Sequence, residues 1–365
     1  MLNLLRPRPG PRRLDEHQAK RVQDKTLSRY RAAARPFADW LVDQGLAPAG
    51  ADDWDDCLVE FKNEHALSYA AFAQLVSAVE FFFPRFKSHL GWSHAVLSGM
   101  TIAHTPKHTV PCGRHHCRFL GAHFAAKGHY RLGLGMPVQQ HLGLRPGELI
   151  NLLPGDLLVS SEAGAAGPEH IVFRLGARRG TKAKREQYAV LHKSAEPVLY
   201  NLVVQMRALT PLGCPLFPVS LDTYRRLIRA TEAELKLSIG WGPHSPRAGF
   251  ATDAVAAGLP FTEIQERGRW LSPSSLRTYI DVVTAISVSS QVNTARLKEA
   301  VAWTDQNFEA YFPAGCFRWP QKHAAKGQQE VRRRALPHSG EATAEGSHPG
   351  ASKVADGGGR RVRFA

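Results

Sequence analysis

The chain has 365 residues, 47 of them Lys or Arg and 32 Asp or Glu, for a net charge of +15, and 43% are hydrophobic. That length suits two domains better than one, and the apolar content is enough for most of the chain to fold. The charge argues against an enzyme of neutral metabolites and for a polyanionic partner, nucleic acid or an acidic membrane surface. No apolar run reaches the roughly 18–20 residues that span a bilayer.

The charge is concentrated at the ends. Residues 1–35 carry a net +7 and residues 318–365 a net +6. Residues 1–24 read as a basic arm. The arm lacks the long apolar stretch of a secretory signal, and its prolines make a poor targeting helix. Five cysteines (Cys57, Cys112, Cys117, Cys214 and Cys316) fit a reduced intracellular protein better than a disulfide scaffold.

From 25 to 105 the spacing predicts a small all-helical domain. Tyr30, Ala33, Ala34, Phe37, Trp40 and Leu41 recur at helical intervals before Gly45; Trp54, Leu58 and Phe61 form a second pattern. Tyr69, Phe72, Leu75, Val76, Val79, Phe82 and Phe83 form a third, ending at Pro84. An aromatic stripe at this spacing reads as core. Thr105–Pro111 is the linker candidate. A second domain over 110–315 starts with helices near 114–126 and 137–143. Two β-like runs, Ile171–Leu175 and Gln187–Leu191, then flank a basic tip and predict a hairpin. The remainder is mostly helical, and 316–365 reads as a basic, glycine-rich, disordered tail that adds salt-dependent affinity for phosphate backbones. The fold class expected is mainly α with a small β-hairpin or sheet, in two domains.

Two arginines stand out. Arg145 precedes Pro146 and Glu148, a first-turn proline and an acid that favour a helix start. Arg247 follows Ser245 and Pro246 in a second proline-started helix, which Gly258 and Pro260 close. Read alone, each is an ordinary arginine at a helix cap. Brought together, they would form a guanidinium clamp for one phosphate, with His244 beside it. Thr262-Glu-Ile-Gln265 has the pattern of a capping box, and Gly268 is the expected stop of the short helix it opens. Ser272-Pro273 then predicts a helix to about Ala285, with Leu276, Tyr279, Ile280 and Val283 on one face. Periodicity alone makes Tyr279 and Trp270 core residues.

Gly143-Leu-Arg-Pro-Gly-Glu-Leu149, His244-Ser-Pro-Arg247, Gly268-Arg-Trp270 and Tyr279 occur in the order found in tyrosine recombinases of the phage-integrase family, with 32 residues from Arg247 to Tyr279. Over about 110–300 the chain resembles the catalytic domain of that family, and the preceding helical block resembles its SAM-like core-binding domain. The resemblance implies a site-specific recombinase or integrase that cuts and rejoins double-stranded DNA. Tyr279 would attack the scissile phosphodiester to give a 3′-phosphotyrosyl link. Arg145 and Arg247 would hold the non-bridging oxygens, and His244 would handle the phenolic proton. Trp270 stands where many relatives have histidine; its indole N–H donates but cannot accept a proton. A lysine on the hairpin would protonate the leaving 5′-oxygen. By resemblance to the family's Ser/Thr-Lys pattern before the second strand, Lys182 is preferred to Lys184.

Such chemistry calls for no metal and no cofactor. Cys112-Gly-Arg-His-His-Cys117 has zinc-like spacing but no second matching pair, and reads as structural. The family also implies a homo-tetramer on DNA, with no membrane partner, acting inside the cell where DNA is held. Leu297–Phe312 is either a segment exchanged between protomers or a helix packed on its own domain. The rival functions are a type IB topoisomerase and a DNA-binding protein, derived from a mobile element, that has lost catalysis.

Overall fold

The computed structural model describes Ala19 and residues 21–103, 109–162, 164, 167–176, 186–291 and 295–319. These fall into two compact units that divide at Lys107 and His108. No helix among the described residues is long and apolar enough to cross a membrane.

The described residues of the first unit are all-helical. They form α1 (Asp24–Asp43), α2 (Ala51–Glu64), α3 (Tyr69–Phe82) and α4 (Gly91–Ala103), with a 3₁₀ turn at Pro84–Phe86. The aromatic stripes are its core: Phe37 packs edge-on against Trp54 and Phe61 and parallel to Trp40. Leu58, Phe72, Leu75, Val76 and Val79 complete it. Tyr69 lies on the surface, and Phe81 is buried where the third pattern placed Phe82. The sequence reading did not resolve α4. Its start is fixed from a distance by buried Asp55, whose carboxylate accepts from the main-chain N–H groups of Trp92 (2.7 Å) and Ser93 (2.9 Å). This is N-terminal capping by a residue of another helix.

The second unit opens with α5 (Arg114–Ala126) and α6 (Tyr130–His141). Pro137, read from the sequence as the start of a helix, lies inside α6. These helices meet backbone to backbone. A Cβ on Gly121 would stand 2.4 Å from the carbonyl oxygen of Gly133, and one on Gly133 would stand 2.5 Å from that of Gly121. The short α7 (Pro146–Ile150) leads into a three-stranded antiparallel sheet of β1 (Leu157–Val159), β2 (His170–Leu175) and β3 (Gln187–His192), in that order. The expected hairpin is present, with Phe173 opposite Ala189 on one side and Leu157 on the other. β1 went unread because three residues carry too little periodicity. One face, with Leu157, Val159, Ile171, Phe173, Leu175 and Leu191, is buried; Leu158, Tyr188 and Val190 face outward. The hairpin tip, with Lys182 and Lys184, lies outside the described residues.

Seven further helices follow among the described residues: α8 (Pro197–Ala208), α9 (Leu221–Glu234), α10 (Ser245–Ala256), α11 (Phe261–Gly268), α12 (Pro273–Arg277), α13 (Val282–Gln291) and α14 (Ala295–Gln306). The single helix expected from Pro273 to about Ala285 is therefore two. Asp281 separates them, its carboxylate accepting from Thr284 N–H (2.9 Å) and Thr284 Oγ1 (2.6 Å) to cap α13. Tyr279 lies in the turn between them.

Helix α14 packs on α5 of its own chain. Arg118, buried on α5, donates to the carbonyl oxygen of Asp305 (3.0 Å), to its carboxylate (3.1 Å) and to Glu196 (2.5 Å). Phe308, Phe312 and Phe317 follow into the core. Cys112 and Cys117 are both buried, and the Cys117 thiol donates to the Cys112 carbonyl. Among the described residues no group of His, Cys, Asp or Glu is arranged to hold a metal ion.

Helix α10, which carries Arg247, is pinned by main chain. Cys112 N–H donates to the Ser245 carbonyl (2.9 Å), and Asp253 accepts from the first N–H of α5 at Arg114 (2.8 Å) and from Gln140 (2.9 Å). A Cβ on Gly249 would stand 1.9 Å from the Cys112 carbonyl oxygen. Both partners are backbone and cannot yield locally. Gly249→Ala should therefore lower stability by about 3 kcal/mol or more, read as a fall in the urea midpoint of the full chain at unchanged slope.

Candidate active site

Five of the six site residues expected from the sequence converge, from three separate stretches of the second unit. Arg145 precedes α7, His244 and Arg247 start α10, and Trp270 and Tyr279 follow α11 and α12. Buried Gln139 ties the first two stretches, its amide donating to the carbonyls of Leu144 (3.2 Å) and Pro243 (2.8 Å). Its own oxygen accepts from the Tyr224 hydroxyl (2.9 Å). Lys182, the sixth expected residue, is among those not described.

Arg247 is the centre of the cluster. The largest fully buried side chain among the described residues, it donates to the carbonyl of Gly143 and, at 2.5 Å, to that of Gly268. Its guanidinium carbon stands 3.9 Å from the centre of the Trp270 ring and 5.7 Å from that of Tyr279. Gly143 has φ +56°, and a Cβ there would stand 2.8 Å from the Phe250 ring, so the loop carrying Arg145 needs glycine at this point. Gly268 is required for a different reason. A Cβ there would stand 1.6 Å from the Trp270 ring. The sequence reading took Gly268 as the left-handed stop of α11; that conformation belongs to Arg269, at φ +59°. The expected capping box at Thr262 is absent, since Pro260 holds the cap position without a side-chain bond.

Arg145 is the most open guanidinium of the cluster, with its side chain 24% exposed. It donates to Glu148 (2.6 Å) and to the carbonyl of Arg269 (3.3 Å), while its main-chain N–H donates to the other Glu148 oxygen (2.8 Å). Arg269, buried, donates to that same oxygen of Glu148 (3.3 Å). Two guanidiniums thus share one carboxylate, with that of Arg247 close by. Burial, reinforced by Arg145 and Arg269, pushes the Arg247 pKa down to about 9. Burial would by itself raise the Glu148 carboxyl, yet Arg269, the Arg145 N–H and the Arg145 guanidinium hold it below the usual carboxylate value. The result is a buried excess of positive charge, which is costly without an anion to join it.

The phenol lies at the edge of this cluster. The Tyr279 ring is half-buried, its centre 5.5 Å from that of Trp270, and its hydroxyl is 3.5 Å from Nδ1 of exposed His244. Thr252 on α10 steadies the turn by donating to the Tyr279 carbonyl (3.3 Å). The clamp expected from the sequence differs in one respect. Arg145 is accessible, whereas Arg247 is enclosed under Trp270 and Tyr279 with both terminal nitrogens engaged. Three buried N–H groups of the cluster, Arg247 Nε, Arg269 Nε and Trp270 Nε1, have no hydrogen-bond partner among the described residues.

Glu148, Gln139 and Arg269 are the residues of this site that sequence reasoning missed. Glu148 was visible only as a helix-start acid. Arg269 stood inside the Gly268-Arg-Trp270 run without a role of its own, and Gln139 carries no local signal.

In structure the chain is similar to solved recombinases. XerA recombinase matches at 17% identity and a TM-score of 0.36, over 76% of this chain and 96% of that one. XerH site-specific recombinase, bound to a palindromic difH substrate, matches at 14% and 0.43, over 70% and 72%. The Tn1549 transposon integrase, in complex with transposon right-end DNA, matches at 14% and 0.48, over 76% and 98%. No protein-family model matches the chain, and comparison with curated proteins finds no match.

Proposed function

We propose that the chain is a tyrosine recombinase, a site-specific recombinase or integrase that cleaves and rejoins double-stranded DNA through Tyr279. One observation carries the proposal: a phenol and a histidine lie at the rim of a buried cluster of three arginines and a single carboxylate. A phosphodiester is the anion that such a cluster fits, and a phenol beside it is a nucleophile with a phosphorus to attack.

In this reading the Tyr279 oxygen attacks phosphorus and gives up its proton to His244. The new bond is a 3′-phosphotyrosyl ester. The bond to the 5′-oxygen breaks, and that oxygen leaves as a hydroxyl after taking a proton, a role proposed for Lys182. Arg145 neutralises the charge that builds on the non-bridging oxygens. Trp270 Nε1 and Arg247 Nε supply further donors once the Tyr279 turn and the indole shift to admit the backbone. The rejoining step is the same path reversed, with a second 5′-hydroxyl as nucleophile. Synapsis of two sites calls for a homo-tetramer on DNA.

The test is a pool of nicked duplexes of randomised sequence, in which cleavage near the nick releases a short fragment and blocks religation. Incubated in EDTA, the full chain should form a DNA adduct that survives denaturation, and Tyr279→Phe should form none. An adduct of equal yield with Tyr279→Phe, or none with either protein, would overturn the proposal.

A further inference from the structure

Arg269 is a non-glycine residue in the left-handed region, placed where a helix end ordinarily takes glycine. A glycine is available one position earlier, but it is committed to Trp270, whose ring occupies the space of its absent Cβ. An arginine kept at a disfavoured backbone position points to a use for its side chain.

The contacts of Arg269 define that use. Its Nη1 donates to the carbonyls of Leu142 (3.2 Å) and Arg267 (2.9 Å), and its Nη2 to the carbonyl of Gly143 (3.0 Å) and to Glu148 Oε2 (3.3 Å). The Gly143 carbonyl also accepts from Arg247. The Glu148 carboxylate accepts from both the main chain and the side chain of Arg145. Finally, the carbonyl of Arg269 accepts from Arg145 Nη2. Arg269 therefore grips the Leu142–Gly143 turn that delivers Arg145, the carboxylate that orients the Arg145 guanidinium, and that guanidinium itself.

We infer that Arg269 is a positioning residue, which locks the Arg145 guanidinium in place before any phosphate arrives. It makes no contact with substrate; it acts through Glu148, the Gly143 turn and its own carbonyl. A planar fork is needed to serve two directions at once. Lysine, with one ammonium, can hold either Glu148 or the turn. The inference deepens the proposed function and rests on it for its consequence in catalysis, but the locking is a property of the protein without DNA.

The test uses the full chain labelled with ¹⁵N-arginine. Slow rotation of the Arg145 guanidinium, identified by its loss in Arg145→Lys, is expected to give resolved Nη signals. In Arg269→Met that rotation should quicken at least tenfold (a factor of this order corresponds to a lost charge-assisted bond). Arg269→Lys should fall between, and serves as the folded reference should the methionine variant unfold. In the cleavage assay, Arg269→Met should slow adduct formation about 100-fold at unchanged DNA affinity. Combining it with Arg145→Lys should cost less than the product of the two single losses. Unchanged Arg145 rotation in both variants would overturn the inference whatever the cleavage assay gives. Quickened rotation without any wild-type adduct would leave it standing and remove the recombinase reading alone.

Discussion

Glu148→Gln is expected to destabilise the protein by about 3–5 kcal/mol, the cost of removing one partner from a buried charge pair. Glu148 is 7% exposed and is the carboxylate shared by Arg145 and Arg269, with Arg247 close by. Glutamine keeps the shape but leaves three guanidiniums without a counter-charge, and its NH₂ points a donor where the site needs an acceptor. The pH dependence follows from the direction of the shift. The Glu148 pKa is lowered in the folded protein, so its contribution is complete above the ordinary glutamate value. It is lost as pH falls through the lowered folded value. Urea unfolding of the full chain from neutral pH to about pH 3 should show the gap between wild type and Glu148→Gln closing in acid. A variant as stable as wild type at neutral pH would mean that the cluster is not held by this carboxylate.

Arg145→Ala should slow DNA cleavage by about 10²–10³-fold, the effect of removing one donor aimed at developing negative charge. Arg145 is the guanidinium with room to meet a phosphate, while Arg247 and Arg269 are enclosed. Affinity for duplex DNA should change far less, because non-specific binding sums many phosphate contacts and this chain carries a net +15. Single-turnover adduct formation at saturating DNA, set beside a binding isotherm at the same salt concentration, separates the two. A loss confined to affinity would make Arg145 a backbone contact rather than a participant in the chemistry.

The sequence named five residues that the fold gathers into one cluster, and hid what holds them. Arg145, His244, Arg247, Trp270 and Tyr279 could be named because their order and spacing resemble a family pattern. The helices of the first unit were readable because Phe37, Trp40, Leu58 and Phe72 keep helical spacing and bury large rings. The break at Tyr279 was not, because Leu276, Tyr279, Ile280 and Val283 mimic one face of a continuous helix. Only Asp281, as a cap, marks the interruption. Pro137 misled in the opposite sense, since a proline usually starts a helix and here lies within one. Arg269 stood in the Gly268-Arg-Trp270 run, but nothing local gave it a role. Its function is made of contacts to residues more than a hundred positions earlier, at Leu142, Gly143 and Glu148. The enclosure of Arg247 is equally a tertiary fact, set by where Trp270 and Tyr279 fold over it.

The account turns on one covalent bond, and mapping it is the most direct measurement. The trapped adduct, digested with nuclease and trypsin, should yield a nucleotide mass on the peptide running from Thr278 to Arg296, with fragmentation assigning it to the Tyr279 oxygen. A nucleotide on any other peptide would contradict the placement of the phenol at the arginine cluster as the source of the chemistry.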